Sequence, residues 1–175
     1  MTIIFTILPL IVYLSQIKQL FLLIYLAFVE ILIVFAIITN INQNKLKFTF
    51  INNKLKFKSG LFDKESTILC DRVIIVHTDK LKEDMEIILI TSNKFRNYYL
   101  KPITREFIKK YPEASELYLK FKRINPEEVY YFQIIKRGSL KKYILLDEIF
   151  KNCVKANYTA SAIENIKIAR EQVEL

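Results

Sequence analysis

Glycine is nearly missing from this chain: Gly60 and Gly138 are the only two among 175 residues. A loop that cradles phosphate needs glycines where the backbone closes on the ligand. Neither GxGxxG nor GxxxxGK[ST] occurs, so nucleotide binding through such a loop is excluded. Histidine is scarcer still, with His77 alone, and the two cysteines, Cys70 and Cys153, stand 83 positions apart. A metal centre requires several convergent His, Cys or carboxylate ligands, which this set does not supply. No metal, no cofactor and no catalytic residue is therefore expected. A disulfide is conceivable, but reduced thiols are the expectation for a lysine-rich domain in the cytoplasm. Charge is missing from the beginning of the chain. The first forty residues carry only Lys18 and Glu30, and no acidic residue follows Glu30 until Asp63.

What fills those forty residues is hydrocarbon. Leu20–Ile38 is apolar at every position except Glu30, and ~19 residues at 1.5 Å each reach roughly 29 Å, about one bilayer core. Ile3–Leu14 is apolar too, apart from Thr6 and Pro9; extended to Ile17 it covers roughly 25 Å of helix, enough for a thinned bilayer. The expectation is a transmembrane helical hairpin over residues 1–40 with Ser15–Gln19 as its turn. The alternative is one span, Leu20–Thr39, preceded by an interfacial segment. A secretory signal fits poorly, because no basic residue follows Met1, no small-x-small cleavage site appears, and a second apolar run follows at once.

The net charge of +9 lies after residue 44. Lys45, Lys47, Lys54, Lys56 and Lys58 follow the second apolar run, against one lysine in the turn, which places the C-terminal side in the cytoplasm of a multi-pass cell-membrane protein. Glu30 falls at the middle of that run. A carboxylate at such depth costs several kcal/mol, so it should be protonated, paired or turned toward another helix. One reading is an ion or proton relay or a polar oligomer contact. The favoured reading is a neutral acid hydrogen-bonded to Thr6 or to a backbone carbonyl of the partner helix.

Past the membrane segment, the pattern over 45–103 is that of an antiparallel strand region. KLKFTF alternates Leu46, Phe48 and Phe50 with Lys45, Lys47 and Thr49, and the pattern resumes after Asn52-Asn53, a pair suited to a tight turn. STILCDRVIIVHTD, Glu86–Thr91 and Asn97–Ile103 complete five expected strands. Residues 104–175 read as helical. Thr104 is a candidate N-cap, and Pro112 marks a break or a second start. Asn125, Pro126, Glu127 and Glu128 open an expected helix through NPEEVYYFQIIKRG that Lys136, Arg137 and Gly138 close. KYILLDEIFKNCVKAN has mostly helical spacing, and Ser161 with Glu164 has the spacing of a capping box, placing Ile163, Ile166 and Ala169 or Arg170 on one side of the last helix.

Asn52-Asn53, Leu55, Gly60-Leu61, Ile68 and Val73, following an apolar hairpin, resemble the bacterial pleckstrin-homology-like membrane proteins over about residues 20–76. That resemblance implies a curved antiparallel sheet with a closing helix beneath a membrane anchor, and a scaffolding or envelope role without catalysis. The helices expected after Thr104 lie outside it.

His77 and Asp79 share a strand face and could form an acid–base pair. With no partnered nucleophile in view, a structural or solvated histidine near a sheet edge is the better reading. The lysines after Thr39 lie close to anionic headgroups, each contributing about 1 kcal/mol near the surface. Lys109, Lys110, Lys120, Lys122 and Arg123 make a second basic cluster. Nucleic-acid binding would need aromatics on the basic face, and alternation sends Phe48, Phe50 and Phe57 to the opposite side, so lipid is preferred to nucleic acid. The whole reads as an α+β protein: a membrane-anchored, non-enzymatic binding or scaffold module that contacts anionic lipid and a protein partner or a second copy. The alternative is a membrane-bound enzyme or transporter accessory subunit using Glu30 or His77.

Overall fold

The computed structural model describes residues 20–171 apart from 62, 82, 83 and 96. The expected first span and its turn therefore lie outside the described residues. The chain divides into two compact units, Met1–Gln43 and Asn44–Leu175.

In the first unit a single element is described, the helix α1, whose residues are Leu20–Asn44. It is long and apolar enough to cross a membrane, and none of its apolar window is buried against protein. Twenty-five residues at 1.5 Å reach roughly 37 Å. Ile24, Phe28, Ile31 and Phe35 all lie open, an apolar surface that a soluble helix would have to cover. The hydroxyl of Thr39 donates back to the carbonyls of Phe35 and Ala36 at 3.0 and 2.9 Å, so this polar group is satisfied without water. Among the described residues, Glu30 Oε1 has no hydrogen-bond partner.

Among its described residues, the second unit is a mixed α+β domain with two small sheets and four α-helices. Strands β1 (Leu46–Ile51), β2 (Lys54–Ser59) and β3 (Ser66–Leu69) form a three-stranded antiparallel sheet in that order. Strands β4 (Val73–Leu81), β5 (Asp84–Thr91), β6 (Lys101–Pro102), β7 (Tyr131–Ile135) and β8 (Asn157–Tyr158) form a second, ordered β6-β7-β5-β4-β8. Helices α2 (Arg105–Lys110), α3 (Pro112–Ile124), α4 (Lys141–Asn152) and α5 (Ala160–Glu171) complete it.

The centre of the domain is β5. Ile87, Ile88, Leu89 and Ile90 are all fully buried, as expected of a strand covered on both faces. Alternation sends Ile87 and Leu89 into one apolar cluster with Leu55, Phe57, Leu145, Leu146 and Ile149. Ile88 and Ile90 enter another with Phe107, Tyr111 and Ala114. The three-stranded sheet and α4 thus pack on one face of the second sheet, and α2 and α3 pack on the other. Each fully buried Ile or Leu stabilises the fold by about 1.5–3 kcal/mol.

Four sequence expectations are corrected here. STILCDRVIIVHTD is not one strand: a 3-10 turn at Cys70–Arg72 breaks it, and the chain passes there from the first sheet to the second. The polar, exposed Asp71 and Arg72 mark the break. Asn97–Ile103 contributes only Lys101–Pro102 as strand, because Asn97 Oδ1 takes the Tyr99 amide in a local turn at 2.9 Å and Pro102 lacks a donor at the sheet edge. The helix expected from Asn125 is a turn followed by β7. Asn125 instead ends α3, its amide bonding Phe121 O, and the aromatic and β-branched run Tyr131–Ile135 pairs along β5 from Ile87 to Thr91. Local cap signals yielded to the long-range pairing that covers the buried strand. Finally, the last helix is capped by Thr159, whose Oγ1 accepts the Ala162 amide at 3.3 Å. Ser161 therefore falls inside the first turn, and Ile163 is exposed while Ala162, Ile166 and Ala169 are buried. Other expectations hold: Thr104 caps α2, and Pro112 is the first residue of α3.

Candidate functional site

The β1–β2 hairpin turns on Asn52 and Asn53, both left-handed with φ of 49° and 61°, the backbone that two-residue turns require. Its register pairs Leu46 with Ser59, Lys47 with Lys58, Phe48 with Phe57, Thr49 with Lys56, Phe50 with Leu55 and Ile51 with Lys54. Because side chains alternate, Lys47, Lys54, Lys56 and Lys58 share one face, while Leu46, Phe48, Phe50, Leu55 and Phe57 turn to the core. Lys45 precedes the strand with the same parity, its carbonyl accepting the Gly60 amide at 2.7 Å.

Like charges directly opposite each other across a ladder repel, and Lys47 faces Lys58 in this way. Compensation from the protein is slight. Lys56 Nζ lies 3.9 Å from the exposed Glu65 carboxylate, a pair contributing little in water, and the Lys54 ammonium sits 5.6 Å over the Phe95 ring. Among the described residues, neither Lys47 nor Lys58 has an acidic partner. The second basic cluster behaves differently. Lys120 pairs with Glu116 at 2.8 Å, Lys122 donates to Glu128 O in the turn after α3 at 2.8 Å, and Lys110 rests on the Tyr111 ring at 4.9 Å.

A cleft of about 410 Å³ opens between β2 and β7, with Lys64, Lys101, Lys136 and Arg137 at its walls. Three of these four cations are already engaged, Arg137 with Asp63 at 3.1 Å, Lys136 with Glu86 at 3.5 Å and Lys64 over the Tyr98 ring at 5.7 Å. Its floor is rigid: the Gln133 amide accepts from Asn97 at 2.7 Å and donates to Ser66 at 3.0 Å. Sequence reading does not group these residues, since β7 is read there as a helix and its neighbours come from distant segments.

His77 is buried on β4, not solvated at an edge. Its Nδ1 lies 3.0 Å from Thr159 Oγ1, 3.2 Å from Ser161 Oγ and 3.6 Å from Glu113 Oε2. Glu113 Oε1 also takes the Ser161 amide at 3.2 Å. A serine–histidine–acid relay needs the hydroxyl and the carboxylate on opposite ring nitrogens. Here both crowd one nitrogen, so the cluster fastens the starts of α3 and α5 to β4. Burial holds His77 below the usual imidazole value, against the opposing pull of Glu113 and Asp79.

Compared with protein-family models, curated proteins and solved structures, the chain gives no match.

Proposed function

We propose that this protein is a membrane-anchored, non-enzymatic binding module whose lysine hairpin contacts anionic lipid. The observation that carries the proposal is the face formed by Lys45, Lys47, Lys54, Lys56 and Lys58, where Lys47 opposes Lys58 and neither has an acidic partner among the described residues. A fold keeps such repulsion at low cost where a polyanionic surface lies against it, and each lysine near anionic headgroups contributes about 1 kcal/mol. β1 begins two residues after α1 ends, so if α1 spans the bilayer the hairpin starts at the headgroups.

In this account residues 1–40 form a two-pass hairpin and the lysine flank sets the remainder in the cytoplasm. Exposed Leu140 and Ile144, one helical turn apart at the start of α4, offer an apolar contact to a protein partner or a second copy. The pleckstrin-homology-like reading of residues 20–76 rests on the same hairpin and belongs to this proposal.

The test is lysine footprinting of the full chain in nanodiscs. Acetylation of Lys47, Lys54, Lys56 and Lys58 should slow when anionic lipid replaces neutral lipid, while that of Lys120 and Lys155 stays constant. Equal labelling in both lipids would overturn the proposal. A reporter fused after Leu175 that is active only when exported should remain silent.

A further inference from the structure

The cleft between β2 and β7 is rich in donors and poor in acceptors. Phe57 and Ser59 line it, and alternation puts them on the face of β2 opposite Lys54, Lys56 and Lys58. The cleft is therefore separate from the basic surface of the hairpin. Its two most enclosed polar side chains are Ser66 and Gln133, 2% and 6% exposed. Gln133 is held at both ends of its amide, by Asn97 and by Ser66. The Ser66 oxygen accepts in that bond, which leaves its hydroxyl proton to give. The Tyr99 hydroxyl is placed alike: it accepts the Lys64 amide at 2.8 Å and keeps its own proton. Among the described residues neither proton has an acceptor.

Charge points the same way. Asp63 and Glu86 pair with Arg137 and Lys136. Lys64 rests over the Tyr98 ring, a contact that leaves its charge without an anion, and among the described residues Lys101 has no acidic partner. Two ammonium groups and two hydroxyl protons together suit a ligand with two negative charges and several acceptor oxygens. A phosphate monoester has both, with a charge of about −1.5 to −2 at pH 7 and three strongly accepting oxygens. Beside the donors the cleft presents Phe132 and Ile134, both half-buried, against which an apolar group can lie. Its volume of about 410 Å³ is that of a small-ligand site.

We propose that this cleft binds a phosphate monoester with an apolar organic body. Lys64, Lys101, Ser66 and Tyr99 donate to the phosphate, and the body packs on Phe132 and Ile134. The site stands whether or not the hairpin contacts lipid, because the two surfaces share no side chain.

The test uses full-length protein in neutral-lipid nanodiscs, with phenyl phosphate as the probe, read by calorimetry and by acetylation of lysines. Phenyl phosphate should bind at one site, slow acetylation of Lys64 and Lys101, and leave Lys47 and Lys54 unchanged. Lys101→Gln, on the exposed edge strand β6, should weaken binding about tenfold and keep the urea midpoint of the parent. Inorganic phosphate, without the apolar body, and benzoate, with a single charge, should both bind more weakly. The ester can be soluble or the head of a lipid, and discs containing phosphatidic acid, set against discs of the diester phosphatidylglycerol, separate the two. Protection of Lys101 by phosphatidic acid alone would assign the cleft to a lipid monoester. Protection by phenyl phosphate and by neither lipid would assign it to a soluble one. No binding of phenyl phosphate and no protection by phosphatidic acid would overturn the proposal, as would equal binding by Lys101→Gln or of benzoate.

Discussion

Lys47 stands directly across from Lys58 in the β1–β2 hairpin, two ammonium groups on the solvent side of a strand pair whose other side is packed phenylalanine and leucine. The pair is a fault in stability terms, since directly opposed like charges weaken a ladder. It becomes useful only if something anionic lies over that face. Stability and lipid contact should therefore move in opposite directions when the pair is relieved.

Replacing Lys58 by threonine removes the repulsion and keeps a strand-favouring residue. In neutral detergent Lys58→Thr should stabilise the protein by about 0.2–1 kcal/mol, while footprint protection by anionic lipid falls at Lys47. Urea melts with and without anionic lipid would measure the first effect. A variant less stable than the parent would mean that Lys58 already has a favourable partner.

Gly138 is the position where a single methyl group should do most harm. Its φ is +124°, and an added Cβ would come within 2.7 Å of Leu46 Cβ and Cδ2. Leu46 is buried at the start of β1 and cannot simply withdraw. Gly138→Ala combines backbone strain with overpacking, at a cost of about 2 kcal/mol or more. A urea midpoint close to that of the parent would contradict the close approach of these two segments.

The buried histidine makes stability depend on pH. Burial holds His77 below its usual value of 6.5, so as pH falls through 6.5 the unfolded chain takes up a proton that the folded chain refuses. Stability is therefore fully present above about 6.5 and declines as pH drops below it, levelling off once the folded-state value has been passed. His77→Asn should flatten that part of the curve. A parent whose stability rises on acidification from pH 7 to 5.5 would show the sign to be wrong.

Glu30 Oε1 has no hydrogen-bond partner among the described residues, and the favoured account gives this side chain no charge-dependent role. Glu30→Gln should leave membrane insertion and abundance unchanged. Normal abundance combined with loss of an assembly or transport phenotype in cells would return the relay reading to first place.

How far the sequence can be read depends on the range of the contacts involved. The hairpin was legible because everything it needs is local: alternation over Lys45–Lys58 and a turn at Asn52-Asn53. The apolar α1 was legible from its composition alone. β7 was hidden because Asn125, Pro126 and Glu127 imitate a helix start, while the partner that makes Tyr131–Ile135 a strand is Ile87–Thr91, far earlier in the chain. The Thr159 cap was obscured by the Ser161–Glu164 spacing, since only the fold reveals that Ser161 is drawn toward His77. The cleft between β2 and β7 was invisible for the same reason: it joins segments that nothing local connects.

The central claim, that the lysine face binds anionic lipid, is tested most directly with the unit comprising Asn44–Leu175, which has its own apolar core. Its partition onto vesicles would be measured with and without anionic lipid, beside a variant carrying Gln at 45, 47, 54, 56 and 58. The account predicts that the parent binds anionic vesicles only, and that binding fades as salt shortens the screening length from ~10 Å at 0.1 M toward ~3 Å at 1 M. The variant should stay in solution. Equal binding by the two proteins, or binding indifferent to salt, would contradict it.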